Sequence, residues 1–125
     1  MAKPLALIVE DEFDISIVFS KALQAAGFDT EVIHSGDVAL EWLSSSRPDI
    51  VILDLNLPRV TGPEILQHIR TDERLKKIPV IVATAYARLA EGVRDQADRV
   101  LFKPISFAQL RDLSARLVGN VTPGG

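Results

Sequence analysis

Residues 50–54 read Ile50-Val51-Ile52-Leu53-Asp54, an unbroken run of branched aliphatic side chains that ends in a carboxylate. A short apolar run rich in Val and Ile, bounded by breakers, reads as a strand buried on both faces. Three further runs share the layout. Leu5-Ala6-Leu7-Ile8-Val9 leads into Glu10 and Asp11, Val80-Ile81-Val82-Ala83 into Thr84, and Val100-Leu101-Phe102 into Lys103. If these strands are parallel, their carboxyl ends share one edge, where ligands of open α/β sheets bind. Three carboxylates, a hydroxyl and an ammonium then converge. Clustered carboxylates repel unless a cation or a raised pKa intervenes, so the arrangement asks for a divalent metal.

Between these runs the apolar residues recur at helical spacing. Ile15, Val18, Phe19, Ala22, Leu23 and Ala26 form one such stripe, with Gly27 as a stop. A short strand is expected around residues 30–33, and a second helix over 36–46 with Ala39, Leu40 and Leu43 on one side. Thr61-Gly62-Pro63-Glu64 has capping-box spacing with Pro63 in the first turn, ahead of Ile65, Leu66 and Ile69. Ser106-Phe107-Ala108-Gln109 is a second capping-box candidate, ahead of Leu110, Leu113 and Leu117. The order is βα repeated five times, and right-handed crossovers turn it into a parallel sheet with helices on both faces. The expected fold is α/β: a flavodoxin-like, doubly wound five-stranded sheet of order 2-1-3-4-5 with five helices. The folded unit is expected over residues 1–118. The small, polar, Pro/Gly-rich stretch 119–125 is expected to be a flexible tail.

A chain of 125 residues suits one domain. It has no cysteine, which excludes a disulfide framework, a thiolate nucleophile and a cysteine zinc site. No apolar run approaches the roughly 20 residues that span a bilayer, and Met1-Ala2-Lys3-Pro4 lacks a signal-peptide layout. A cytoplasmic location without membrane contact is the expectation. The net charge of −3 gives no general attraction to nucleic acid. Arg70, Arg74, Lys76 and Lys77 cluster, but Asp72 and Glu73 interrupt them, so they read as a solvated helix end and loop. His34 and His68 lack metal-ligand spacing. His68 is expected at the surface, and Trp42 as a packing residue of the second helix.

Glu10-Asp11, Asp54-Leu55-Asn56-Leu57-Pro58 with Gly62, Thr84-Ala85 and Lys103-Pro104 together resemble the receiver domain of two-component response regulators. Each element is weak alone; all four, in order at the ends of strands 1, 3, 4 and 5, are specific. The resemblance covers roughly residues 5–118. It implies that Asp54 is a phosphoacceptor, a carboxylate nucleophile that takes a phosphoryl group from a histidine kinase or phosphotransfer protein. It implies that Glu10, Asp11, Asp54 and the backbone carbonyl of Asn56 hold Mg²⁺. Thr84 would hydrogen-bond one phosphoryl oxygen and Lys103 would pair with another, across a cis Lys103-Pro104 peptide. Phosphoryl transfer asks for positioning and neutralised charge, which these groups are suited to supply. The implied function is two-component signal transduction: a reversible phosphoacceptor rather than an enzyme. It would switch the binding of a downstream protein partner or serve an output domain absent from this sequence.

Two departures from the family pattern stand out. From Thr84 to Lys103 is 19 positions, about one helical turn short, and Gly92 falls in the affected stretch. The fourth helix is therefore expected to be short or irregular. The position three before the lysine, where many members carry a switch aromatic, is Val100. Tyr86, two after Thr84, is the candidate replacement, with local loop packing as the equal alternative. Two other functions compete. A degenerate receiver would bind a protein without phosphorylation, and a Mg²⁺-dependent aspartyl phosphohydrolase would need a second acid where this chain has Asn56.

Overall fold

The computed structural model describes residues 2–119, so the expected tail lies outside the described residues from position 120 onward. Five strands, β1 (Leu5–Val9), β2 (Asp29–Ile33), β3 (Ile50–Leu53), β4 (Val80–Thr84) and β5 (Arg99–Phe102), alternate with five helices. These are α1 (Phe13–Ala25), α2 (Gly36–Ser45), α3 (Gly62–Thr71), α4 (Ala87–Val93) and α5 (Phe107–Val118). Every strand pairing is parallel, and the order is β2-β1-β3-β4-β5. That is the flavodoxin-like arrangement expected from the sequence.

Strand parity divides the core into two layers. Leu7, Val9, Val51, Leu53, Val80 and Val82 face α2, α3 and α4, where Leu43, Ile65, Leu66, Ile69 and Val93 complete the layer. Ala6, Ile8, Ile50, Ile52, Ile81 and Ala83 face Phe19 and Leu23 of α1 and Leu110 and Leu113 of α5. Both faces of β1, β3 and β4 are covered, and each fully buried Leu or Ile side chain contributes about 1.5–3 kcal/mol. This is why polar residues are confined to the ends of these strands. Trp42 packs part-buried against the first layer, as expected.

β5 departs from the expectation of burial on both faces. Arg99 and Phe102 are exposed and Val100 and Leu101 only half-buried, because β5 is an edge strand and α4 beside it has seven residues. The short α4 itself matches the Thr84-to-Lys103 spacing. At α3 the full capping box forms: the Glu64 N–H donates to Thr61 Oγ1 at 3.4 Å and the Thr61 N–H to Glu64 Oε2 at 2.8 Å. Such a cap stabilises a helix by about 1 kcal/mol. At α5 the Ser106 half is present, its Oγ accepting from the Gln109 N–H at 2.9 Å.

Two surface readings are corrected. His68 is half-buried, with Nε2 enclosed and without a hydrogen-bond partner among the described residues, because α3 is packed between α2 and α4. Two arginines of the basic cluster are structural rather than solvated. Arg70 Nε donates to the Gln96 carbonyl at 2.7 Å, Nη1 to the Lys76 and Ile78 carbonyls at 3.1 and 2.7 Å, and Nη2 to Asp98 Oδ2 at 2.8 Å. Arg74 donates to the Ser46 and Leu43 carbonyls. Apart from Asp98 Oδ2, these acceptors are main-chain oxygens at loop and helix ends, where a guanidinium fork can reach several at once.

Candidate functional site

The ladder bonds continue one residue past the strands, and this is what assembles the site. The Glu10 N–H donates to the Ile33 carbonyl and the Asp54 N–H to the Val9 carbonyl, both at 3.0 Å; the Lys103 N–H donates to the Thr84 carbonyl at 2.9 Å. The residues that follow β1, β3 and β5 are thus fixed side by side. Glu10 is fully buried, Asp54 is 4% exposed and Asp11 is open to solvent. One carboxylate oxygen from each of the three lies within 4.8 Å of the others. Gly62 closes the floor: its N–H donates to the Leu55 carbonyl at 3.0 Å. A Cβ there would sit 2.3 Å from the Asp54 carbonyl oxygen and 2.4 Å from Leu55 Cα, so α3 can approach this closely only with glycine.

Lys103 enters from β5. Its Nζ lies 2.7 Å from Glu10 Oε1 and 3.5 Å from Asp54 Oδ2. The peptide between Lys103 and Pro104 is cis. Burial drives the Glu10 carboxyl up to about 7, with the Asp54 charge adding to the rise, while Lys103 and the Glu12 N–H pull the other way. Burial also raises Asp54, helped by Asp11 and opposed by Lys103 and the Asn56 N–H. For Lys103 burial works against the charge, but Glu10 and Asp54 overcome it and hold the ammonium above its ordinary value.

The donor set fits a hard divalent cation. It is all oxygen, it is anionic, and one of its members is incompletely satisfied: Glu10 Oε1 is buried and, among the described residues, has the Lys103 ion pair but no hydrogen-bond partner. One ammonium against three carboxylates leaves negative charge unmatched, and a divalent cation would neutralise it. The acidic pocket of Glu10, Asp11 and Asp54 fits Mg²⁺ and an aspartyl phosphate.

The remaining residues singled out from sequence lie around this pocket. The Asn56 N–H reaches Asp54 Oδ1 at 3.4 Å, and its side-chain amide donates to the Tyr86 hydroxyl at 3.2 Å. Thr84 is fully buried, with Oγ1 accepting from the Tyr86 N–H at 3.1 Å. Tyr86 is half-exposed at the N-cap of α4 and so ties the β3–α3 loop to the β4–α4 loop. Val100 is packed against the first core layer.

Two features were not read from sequence. His34 Nδ1–H donates to the Glu10 carbonyl at 2.9 Å, and its ring centroid lies 5.9 Å from that of Phe13. Its place just after β2, the neighbour of β1, was the signal available. A cavity of about 500 Å³ adjoins Lys103, lined by Ile15, Val18 and Phe19 of α1 and by Pro104 and Ile105, with Glu12 and Asp14 on its rim. It joins residues some 90 positions apart, and no local pattern announces it.

A family model described as the response regulator receiver domain matches residues 6–115. The polar-differentiation response regulator DivK of Brucella ovis is 31% identical over 123 residues, covering 96% of this chain and 99% of that protein. Among known structures, a CheY-like response regulator receiver domain from Methylobacillus flagellatus aligns with a TM-score of 0.81 and 28% identity, over 92% of this chain and 98% of that one. The Mn²⁺-bound form of response regulator Rcp1 aligns with a TM-score of 0.80 and 25% identity, over 98% of this chain and 99% of that one.

Proposed function

The chain belongs to the response regulator receiver domain family, and on that premise we propose that Asp54 accepts a phosphoryl group from a phosphohistidine donor and thereby switches partner binding. Receivers of this family are two-component signalling modules rather than classical enzymes. The observation that carries the proposal is the placement of the Lys103 ammonium, 3.5 Å from Asp54 Oδ2, in a pocket with two further carboxylates.

Each side chain has a task set by its position. An Asp54 oxygen attacks phosphorus; the new P–O bond forms as the P–N bond to the donor imidazole breaks, and the imidazole nitrogen keeps the electron pair. Burial makes the Asp54 carboxylate more basic than a solvated one. Lys103 turns from the carboxylates to an equatorial phosphoryl oxygen, and the Thr84 hydroxyl hydrogen-bonds another. Glu10, Asp11, Asp54 and the Asn56 carbonyl would hold Mg²⁺, which when bound supplies neutralisation of the developing phosphoryl charge.

The donor's docking ground is the cavity beside Lys103, whose apolar wall and acidic rim suit a helical partner with apolar and basic side chains. Docking there brings the donor beside Lys103, whose ammonium adjoins Asp54. The phosphoryl group adds about 1.5 to 2 negative charges. Thr84 is then drawn toward it, and the Tyr86 N–H held by Thr84 Oγ1 moves too, so Tyr86 serves as the switch residue and α4 as the segment it releases.

Intact mass after incubation with acetyl phosphate tests this. One adduct that needs Mg²⁺ and is absent from Asp54→Ala is the expected result. No adduct under any condition would leave the protein as an unphosphorylated binding module.

A further inference from the structure

Arg70 sits at the amino edge of the sheet, the opposite end from Asp54, and its fork is the most heavily bonded side chain outside the site. It gives four of its five N–H groups to Gln96, Lys76, Ile78 and Asp98. Three of these acceptors flank β4 and β5: Ile78 precedes β4, while Gln96 and Asp98 lead into β5. Asp98 is the pivotal partner. Its Oδ2 also accepts from the Val80 N–H at 2.7 Å, and its own N–H donates to the Val80 carbonyl at 2.9 Å.

We propose that Arg70 is a positioning residue for Lys103: by holding the start of β5 it determines where the Lys103 ammonium arrives. The inference rests on the role given to Lys103 above. Asp98 locks to Val80, and the register then runs Ile81 to Arg99 through Thr84 to Phe102, closing with the Lys103 N–H on the Thr84 carbonyl. Four residues of extended chain separate the two locks, too few to absorb a displacement. Side chains alternate at every residue, so a one-residue slip would turn Lys103 to the wrong face.

β5 needs such an anchor more than the inner strands do. It pairs on one side only, is half-exposed, and follows a seven-residue helix with Gly92 near its end. The turn that the chain lacks before β5 is replaced by side-chain bonds from α3. A lysine at position 70 would bring one ammonium where the fork now meets four acceptors in different directions.

A double-substitution cycle tests the inference in the full chain, reading the rate of acetyl phosphate adduct formation at saturating Mg²⁺. Arg70→Gln should slow phosphorylation by about tenfold, since small misplacements of an acting group have effects of that order or more. Arg70→Lys should not restore the rate. Mg²⁺ binding by calorimetry should persist without loss of affinity, because Glu10, Asp11 and Asp54 follow β1 and β3, which Arg70 does not touch; a general loss of structure would weaken both. In a Lys103→Ala background, Arg70→Gln should add no more than about a twofold loss, the mark of two residues acting through one step. An equal fold-loss in both backgrounds, or a wild-type rate in Arg70→Gln, would overturn the inference. Should Arg70→Gln fail to fold, Asp98→Asn must show the same non-additivity. Lys103→Ala at the wild-type rate would instead reject the role of Lys103, a distinct outcome that also removes the inference built on it.

Discussion

At the amino edge of the sheet Arg70 gives four N–H groups to acceptors within 3.1 Å, whereas at the carboxyl edge Lys103 stands 2.7 Å from a Glu10 oxygen that no hydrogen bond satisfies. Each end sets a cation against oxygen acceptors from other parts of the chain, three carbonyls and one carboxylate at the amino edge and carboxylates at the carboxyl edge. At the amino edge the charges are matched by directed bonds, and the result is a staple. At the carboxyl edge three carboxylates meet one ammonium, the Glu10 and Asp54 carboxyls are pushed up, and negative charge is left over. Residual charge and an orphaned oxygen, rather than the mere presence of ionisable residues, separate a binding site from a structural clamp.

The contrast is broken most severely at the staple. Arg70→Ala should lower unfolding free energy in urea by about 2 kcal/mol, from four lost hydrogen bonds at roughly 0.5 kcal/mol each around a partly exposed ion pair. Mg²⁺ acts at the other end only: at about ten times its Kd it should add about 1.4 kcal/mol through preferential binding to the folded state. A thermal melt in Asp11→Asn should lose most of that gain, while a melt in Arg70→Lys should keep it. The third effect follows from Glu10 in metal-free protein. Its carboxyl is raised from 4.5 to about 7, so stability tied to its neutral form is full below 4.5 and lost as pH rises through about 7. Glu10→Gln should therefore melt several degrees higher than the parent at pH 8 in chelator and decline less with pH, the raised Asp54 carboxyl keeping part of the fall. A parent melting temperature that does not fall between pH 5 and 8 would contradict the burial of unmatched charge. The smallest effect is Tyr86→Phe, which removes the Asn56 bond and should reduce stability by about 0.5 kcal/mol or less. Its signature is faster amide exchange confined to α4.

Much of the fold was legible because it depends on local pattern. The runs of β1, β3 and β4 carry no polar residue before their ends, the Thr61/Glu64 box marks the start of α3, and the spacing from Thr84 to Lys103 foretold a short α4. The site was legible for a topological reason: parallel strands bring their following residues to one edge, so Glu10, Asp11, Asp54, Thr84 and Lys103 had to meet. What could not be read depends on distant partners. Arg70 looked like a solvated cation because Gln96 and Asp98 lie 26 and 28 residues away. The exposure of β5 follows from its edge position, and the enclosure of His68 from the packing of α3 between two helices. Neither leaves a mark in a local window. The Tyr86–Asn56 bond spans 30 residues between two loops, and no periodicity constrains it.

The most direct test is to trap the phosphorylated state chemically. After treatment with acetyl phosphate and Mg²⁺, borohydride reduces an aspartyl phosphate to homoserine, which peptide mass spectrometry can place. Homoserine at position 54 and nowhere else is the expected result. Homoserine at position 11, or none despite a phosphoryl adduct on the intact protein, would contradict Asp54 as the acceptor.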